Sequence, residues 1–148
     1  MEWSNSIKAY DLVKYISSKI VLEKGPTIDY KMLIKSIYQL KDTEIYECID
    51  LAVTKTIDDA YISRDLEDAL ASLQMLSFFQ RTIAMEYKVF FINLNMEEAS
   101  EIYHKLPQKE KFIVDKIYNE YHKEDSFKFM AKNKQPIEQK QNDNDLSM

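Results

Sequence analysis

One glycine in 148 residues, Gly25, constrains this chain more than any other feature of its sequence. Glycine supplies the φ > 0 positions that tight hairpins, bulges and phosphate-cradling loops require. A chain with one such residue has little material for those devices and is suited to helices joined by short polar connections. The three prolines, Pro26, Pro107 and Pro136, are sparse enough to leave long helical ladders intact. The expected fold class is therefore all-α, a compact bundle of about six helices, counted from cap and periodicity signals.

Those signals are readable along the chain. Trp3, Ile7, Tyr10, Val13, Ile16 and Ile20 recur at three- and four-residue spacing, predicting a first helix from Ser4 to Glu23 that Gly25-Pro26 ends. Thr27 is placed to cap a second helix with an apolar face of Tyr30, Leu33, Ile34, Ile37 and Tyr38. Asp42 or Thr43 opens a third, with Ile45, Cys48, Ile49, Ala52, Val53, Ile57 and Ala60 as its stripe, ending near Ile62. Ser63 caps a fourth helix, 64–88, whose acids at Asp65, Glu67 and Asp68 complement the helix dipole. Leu66, Leu70, Leu73, Leu76, Ile83 and Tyr87 form one stripe, and Met75, Phe78, Phe79 and Met85 cover the remainder. A helix apolar nearly all round is normally enclosed, so this is the expected central helix.

Lys88 to Leu94 reads as a short buried strand or the end of the fourth helix; with no partner strand visible, a helix or an extended connector is expected. Asn95 and Glu98 fit a capping box opening a fifth helix, Met96 to Lys105. Pro107 suits the first turn of a sixth, through about His122, and Asp125 or Ser126 caps a last short turn. From Lys132 the composition turns to Lys, Asn, Gln and Asp, which cannot bury enough surface to offset chain entropy. The expected organisation is one helical domain, 1–131, and a disordered tail, 132–148.

Chemistry-bearing patterns are scarce. The single cysteine, Cys48, excludes an intramolecular disulfide and a cysteine-cluster zinc site. Glu101 and His104 form half of a carboxylate-type metal motif, but the matching Glu-x-x-His is missing. There is no nucleophile motif, and one glycine cannot make a phosphate loop. The pairs Asp58-Asp59 and Glu67-Asp68 are adjacent in sequence, so on a helix their carboxylates point apart. A protein without enzymatic activity, cofactor or metal is expected. No signal peptide is visible, and the longest weakly charged stretch, Ala69 to Met85, is too polar and too short to cross a membrane. A cytoplasmic location is expected.

The formal charge of −5 is unevenly placed: +3 over 1–41, −9 over 42–101 and +1 over 102–148. The acidic middle repels phosphate, and only Arg64 and Arg81 offer the bidentate fork that base and phosphate readout prefers. The segment from Leu106 to Val114 resembles the leucine–proline start of the DNA-binding fourth region of sigma factors, over about one helix. That pattern continues with a glycine-containing turn and a recognition helix, which Asn119 to Asp125 does not supply, so the resemblance carries no function. In architecture alone, a buried central helix ringed by others resembles Bcl-2-like folds of viral regulators.

Ten tyrosines and seven phenylalanines are many for a small helical domain, and aromatic residues are enriched where proteins meet. The expected function is a helical protein-interaction module: an adaptor, complex subunit or inhibitor acting on another protein, with Phe90, Phe91, Phe127 and Phe129 as candidate contacts. The alternative is a nucleic-acid-associated subunit or transcription regulator, in which Lys109, Lys116 and Lys123, each seven residues apart, share one helical side. Burial of surplus apolar surface against a second copy, a homo-oligomer, is the third possibility.

Overall fold

A computed structural model describes residues 6–81 and 88–125. Strand β1, Ile7–Lys8, leads into helix α1, Ala9–Glu23. Strand β2, Thr27–Asp29, and helix α2, Tyr30–Gln39, follow, then a one-turn helix α3, Glu44–Glu47. Three short strands come next: β3 (Ile49–Asp50), β4 (Thr54–Lys55) and β5 (Tyr61–Ile62). Helix α4, Arg64–Met75, precedes β6 (Phe79–Gln80) and β7 (Val89–Ile92), and α5, Met96–His104, is followed by a helix over 108–125, here α6.

The architecture is mixed α/β, which overturns the all-α expectation. β7 is the middle strand of a three-stranded antiparallel sheet, flanked by β2 and β6, with Ile28 opposite Phe90 and Phe79 opposite Ile92. β1 pairs in parallel with β3, and β4 pairs antiparallel with β5. The scarcity of glycine misleads because other residues take the positive-φ positions: Asp59 at 62°, Ser77 at 65° and Lys88 at 72°. Gly25, at φ 150°, does end α1, but not in the left-handed helical conformation expected of its cap.

The third expected helix shrinks to a single turn capped by Thr43, whose Oγ1 accepts the Ile45 N–H at 3.2 Å. Beyond it, Val53, Thr54, Thr56, Ile57 and Ile62 are β-branched and resist the helix, and the residues beyond Cys48 form β3 and the β4–β5 hairpin instead. The fourth helix stops at Met75. Phe78 N–H reaches Leu73 C=O at 2.8 Å and Ser77 N–H reaches Gln74 C=O at 3.0 Å, a Schellman stop built on a serine. The expected central helix is thus halved and one-faced: Leu66, Ala69, Leu70 and Leu73 are buried, whereas Met75 and Leu76 stand in solvent. The likeness to Bcl-2-like architecture goes with it.

The enclosed helix is α1. Ala9, Leu12, Val13, Ile16, Ile20 and Val21 are buried along it, together with Ser17 and Ser18, and it packs against α4 and α5. Lys88 to Leu94 is neither helix nor irregular connector at its centre, because Val89–Ile92 pairs with the distant β2 on one side and with β6, the strand before it, on the other. α2 starts later than expected: Asp29, not Thr27, caps it, accepting Met32 N–H at 3.2 Å. The capping box at Asn95 and Glu98 forms as read, with reciprocal bonds of 2.7 and 3.0 Å. Pro107 sits one position before the first helical residue of α6, where its carbonyl accepts the Lys111 N–H.

α6 lies across α1 and α2. Its inner face, Ile113, Val114, Ile117, Tyr118 and Tyr121, is buried. Lys19 on α1 ties to it through Asp115 at 3.5 Å and lies over the rings of Tyr103 and Tyr118. Lys35 and Gln39 on α2 both reach Glu124, at 3.1 and 3.2 Å, and Lys24 pairs with Asp125. Burying one face against two helices leaves the opposite face of α6 outward. Among the described residues, no helix is long and apolar enough to cross a membrane.

Candidate binding groove

The outward face of α6 carries Lys109, Phe112, Lys116, Asn119 and Lys123, all exposed and spaced by three or four residues, one row along the helix. Phe112 keeps half of its surface in water, 52 %. Its ring is the one large aromatic side chain in the exposed class among the described residues. Lys116 lies one turn on, with its Nζ 5.3 Å from the Phe112 centroid. The ammonium and the ring therefore form one cationic-aromatic unit, which costs less to expose than a bare phenyl.

Facing this row is the turn between α2 and α3. Leu40 ends α2, and Thr43 Oγ1 donates to the Leu40 carbonyl at 2.7 Å while accepting from Ile45. These bonds hold the turn rigid and set Leu40 and Ile45 toward α6. A groove of about 660 Å³ runs between the two walls, lined by Leu40, Ile45 and Phe112 with Thr43, Glu44, Lys116, Asn119, Glu120, His122 and Lys123. Two charges of its rim neutralise each other locally, since Lys123 Nζ lies 3.2 Å from Glu120. His122 stacks on Tyr118, ring centroids 5.9 Å apart.

Of the residues singled out in the sequence, Lys109, Lys116 and Lys123 do share the exposed side of α6. Phe90 is buried at 4 % exposure, packed 5.8 Å from Phe79 in the core of the sheet, with Arg81 over its ring. Phe91 alternates to the other face of β7 and is half-buried. Phe127 and Phe129, like the tail 132–148, lie outside the described residues. Phe112 is not among the contacts expected from the sequence, although a signal for it exists. Phe112 falls three residues from Lys109 and four from Lys116, on the lysine side of the helix and not the isoleucine side. The opposite wall, 40–45, had no local signal.

Cys48 is buried, and burial pushes its thiol pKa up, only partly opposed by the Lys109 charge, so the thiolate nucleophile is disfavoured. Among the described residues, no three His, Cys, Asp or Glu side chains gather to hold a metal ion. What the arrangement offers is an apolar floor with a mixed-charge rim, suited to binding side chains by shape and desolvation. No protein family, curated protein or solved structure matches the chain.

Proposed function

We propose that this chain is a protein-interaction module without enzymatic activity, and that the groove between α6 and the α2–α3 turn is its binding surface. The carrying observation is Phe112: a half-exposed aromatic ring, steadied by Lys116, on the wall of a groove floored by Leu40 and Ile45. Aromatic anchors beside apolar pockets are the side chains that dominate protein–protein binding energy, and truncating such an anchor typically costs about 2 kcal/mol or more. The test is affinity capture from the native host with wild type and Phe112→Ser, each with and without nuclease. Partners that survive nuclease and are lost with the variant support the reading. Partners held equally by the variant sink it.

A second reading is supported by the alignment of Lys109, Lys116 and Lys123 with Phe112 between them, a pattern that binds single-stranded nucleic acid by charge and stacking. Glu44 and Glu120 in the same groove repel phosphate and weigh against it. Capture that vanishes with nuclease and weakens steeply with salt would favour this second reading.

A further inference from the structure

We infer that the exposed apolar face where α4 stops and α5 starts is a docking site for this chain's own segment 126–134, engaged within the same molecule. The segment follows α6 directly and reads Ser-Phe-Lys-Phe-Met-Ala-Lys-Asn-Lys.

Two hydrogen bonds assemble this face. Asn93 N–H donates to Phe78 C=O at 2.8 Å, and Asn93 Nδ2 donates to Ser77 C=O at 3.1 Å, which sets the stop of α4 beside the entry to α5. Met75 and Leu76 immediately precede Ser77, and Met96 is the first residue of α5. Met75 is 86 % exposed, Leu76 66 % and Met96 58 %. Half of the six large hydrophobic side chains in the exposed class among the described residues therefore gather at one junction. Keeping that much apolar surface hydrated in one place gains the fold nothing, and such concentrations mark binding surfaces. Methionine, unbranched and polarisable, also adapts well to an irregular partner.

The chain leaves α6 at the same end of the sheet. Asp125 pairs with Lys24, two residues before Pro26. Pro26 C=O accepts the Ile92 N–H, and Phe78 C=O accepts the Asn93 N–H, so Pro26, Ile92 and Phe78 line one end of the three strands. Neighbouring strands lie about 4.8 Å apart, which puts Phe78 about 10 Å from Pro26 across that end. An extended chain gains about 3.3 Å per residue, so 126–134 reaches about 30 Å from Asp125 and spans the distance. Charge selects the same segment. It carries Phe127, Phe129 and Met130 with Lys128, Lys132 and Lys134, and no acid. The face offers the converse: Glu97 and Glu98 stand exposed beside Met96, and neither forms an ion pair among the described residues. The groove on α6 makes no such match, because Glu44 and Glu120 offset Lys116 and Lys123 on its rim. Residues 1–5 offer Trp3 with an acid and no base. A second copy presenting the same face would set Glu97 and Glu98 against their own kind. Tethering gives the segment an effective concentration on the order of millimolar, which favours its own molecule over another.

Methionine oxidation on the full chain reads the cover directly. Dilute hydrogen peroxide converts each accessible thioether to its sulfoxide with release of water, and peptide mass spectrometry follows Met75 and Met96 separately. Wild type is expected to oxidise both about fivefold more slowly than the double variant Phe127→Ser, Phe129→Ser, as for a face covered four-fifths of the time. The triple variant Lys128→Glu, Lys132→Glu, Lys134→Glu is expected to lose the protection through charge alone, and added salt to weaken it in wild type. Met32, 8 % exposed in the core, is the internal control: its rate stays the same in all three proteins if the fold is intact. Equal rates at Met75 and Met96 in wild type and the double variant overturn the inference. Protection that survives the lysine reversal overturns the choice of this segment. Protection that grows with protein concentration places the cover between molecules and overturns the intramolecular contact.

Discussion

The Tyr121 hydroxyl accepts the backbone N–H of Asp29 at 2.9 Å, joining residues 92 positions apart. Ile92 N–H bonds to Pro26 C=O and Tyr30 N–H to Lys88 C=O, so the even-numbered residues of β2 face β7 and Asp29 N–H points to the open edge of the sheet. Tyr121 covers that edge group with a side chain from α6. This hydrogen bond ties α6 to the sheet, on the side of α6 opposite the groove.

Tyr121→Phe keeps the ring in the core and leaves the Asp29 N–H without this partner. Losing a hydrogen bond of this kind costs about 0.5–1.5 kcal/mol. The expected outcome is a lower urea midpoint with an unchanged m-value, as for lost stability without lost structure.

The same burial predicts alkaline unfolding. Desolvation raises the pKa of Tyr121 and Tyr30 far above the usual tyrosine value of 10.0, with Glu67 adding to the shift at Tyr30. Both groups bind protons more tightly when folded. Their contribution is therefore fully present below about pH 10, where the unfolded chain also keeps its phenols protonated, and is lost as pH rises beyond it. Phenolate absorbance and helical circular dichroism followed from pH 8 to 13 should change together. A phenolate signal complete before any helix is lost would contradict the assignment.

Ser77 tests the helix stop. It holds the left-handed position of the Schellman turn at φ 65°, where a β-carbon is strained. Ser77→Gly is expected to stabilise the fold by about 1 kcal/mol, the strain of a left-handed residue less the entropy that glycine loses on folding. Thermal unfolding measures it, and a lower midpoint would count against the assigned backbone.

Ser17 tests the core. Its Oγ is fully buried in α1 without a hydrogen-bond partner among the described residues. Removing an unsatisfied hydroxyl relieves its desolvation penalty, so Ser17→Ala is expected to leave stability equal or raise it by up to about 1–3 kcal/mol. A clear loss in denaturant titration would reveal a partner for the hydroxyl.

Local signals in the sequence were reliable where short-range physics decides. Ser63 caps α4, accepting Leu66 N–H at 3.2 Å, and the Asn95–Glu98 capping box opens α5, each within three residues of chain. The alternation of Ile113, Ile117 and Tyr121 with Lys109, Lys116 and Lys123 likewise separated the two faces of α6, because a helix repeats every 3.6 residues whatever it packs against. Strand pairing was beyond that reach. Val89 to Ile92 has the composition of a strand, but a strand exists only with partners, and its partners begin at Thr27 and Phe79. Which helix is enclosed was equally non-local: α1 and α4 both carry apolar residues, and only their docking buries most of one and leaves Met75 of the other in water. The groove follows the same rule. The sequence alone determined the row on α6 that includes Phe112 and Lys116, whereas only the tertiary structure set Leu40 and Ile45 opposite it, because a cavity needs two walls brought together by packing.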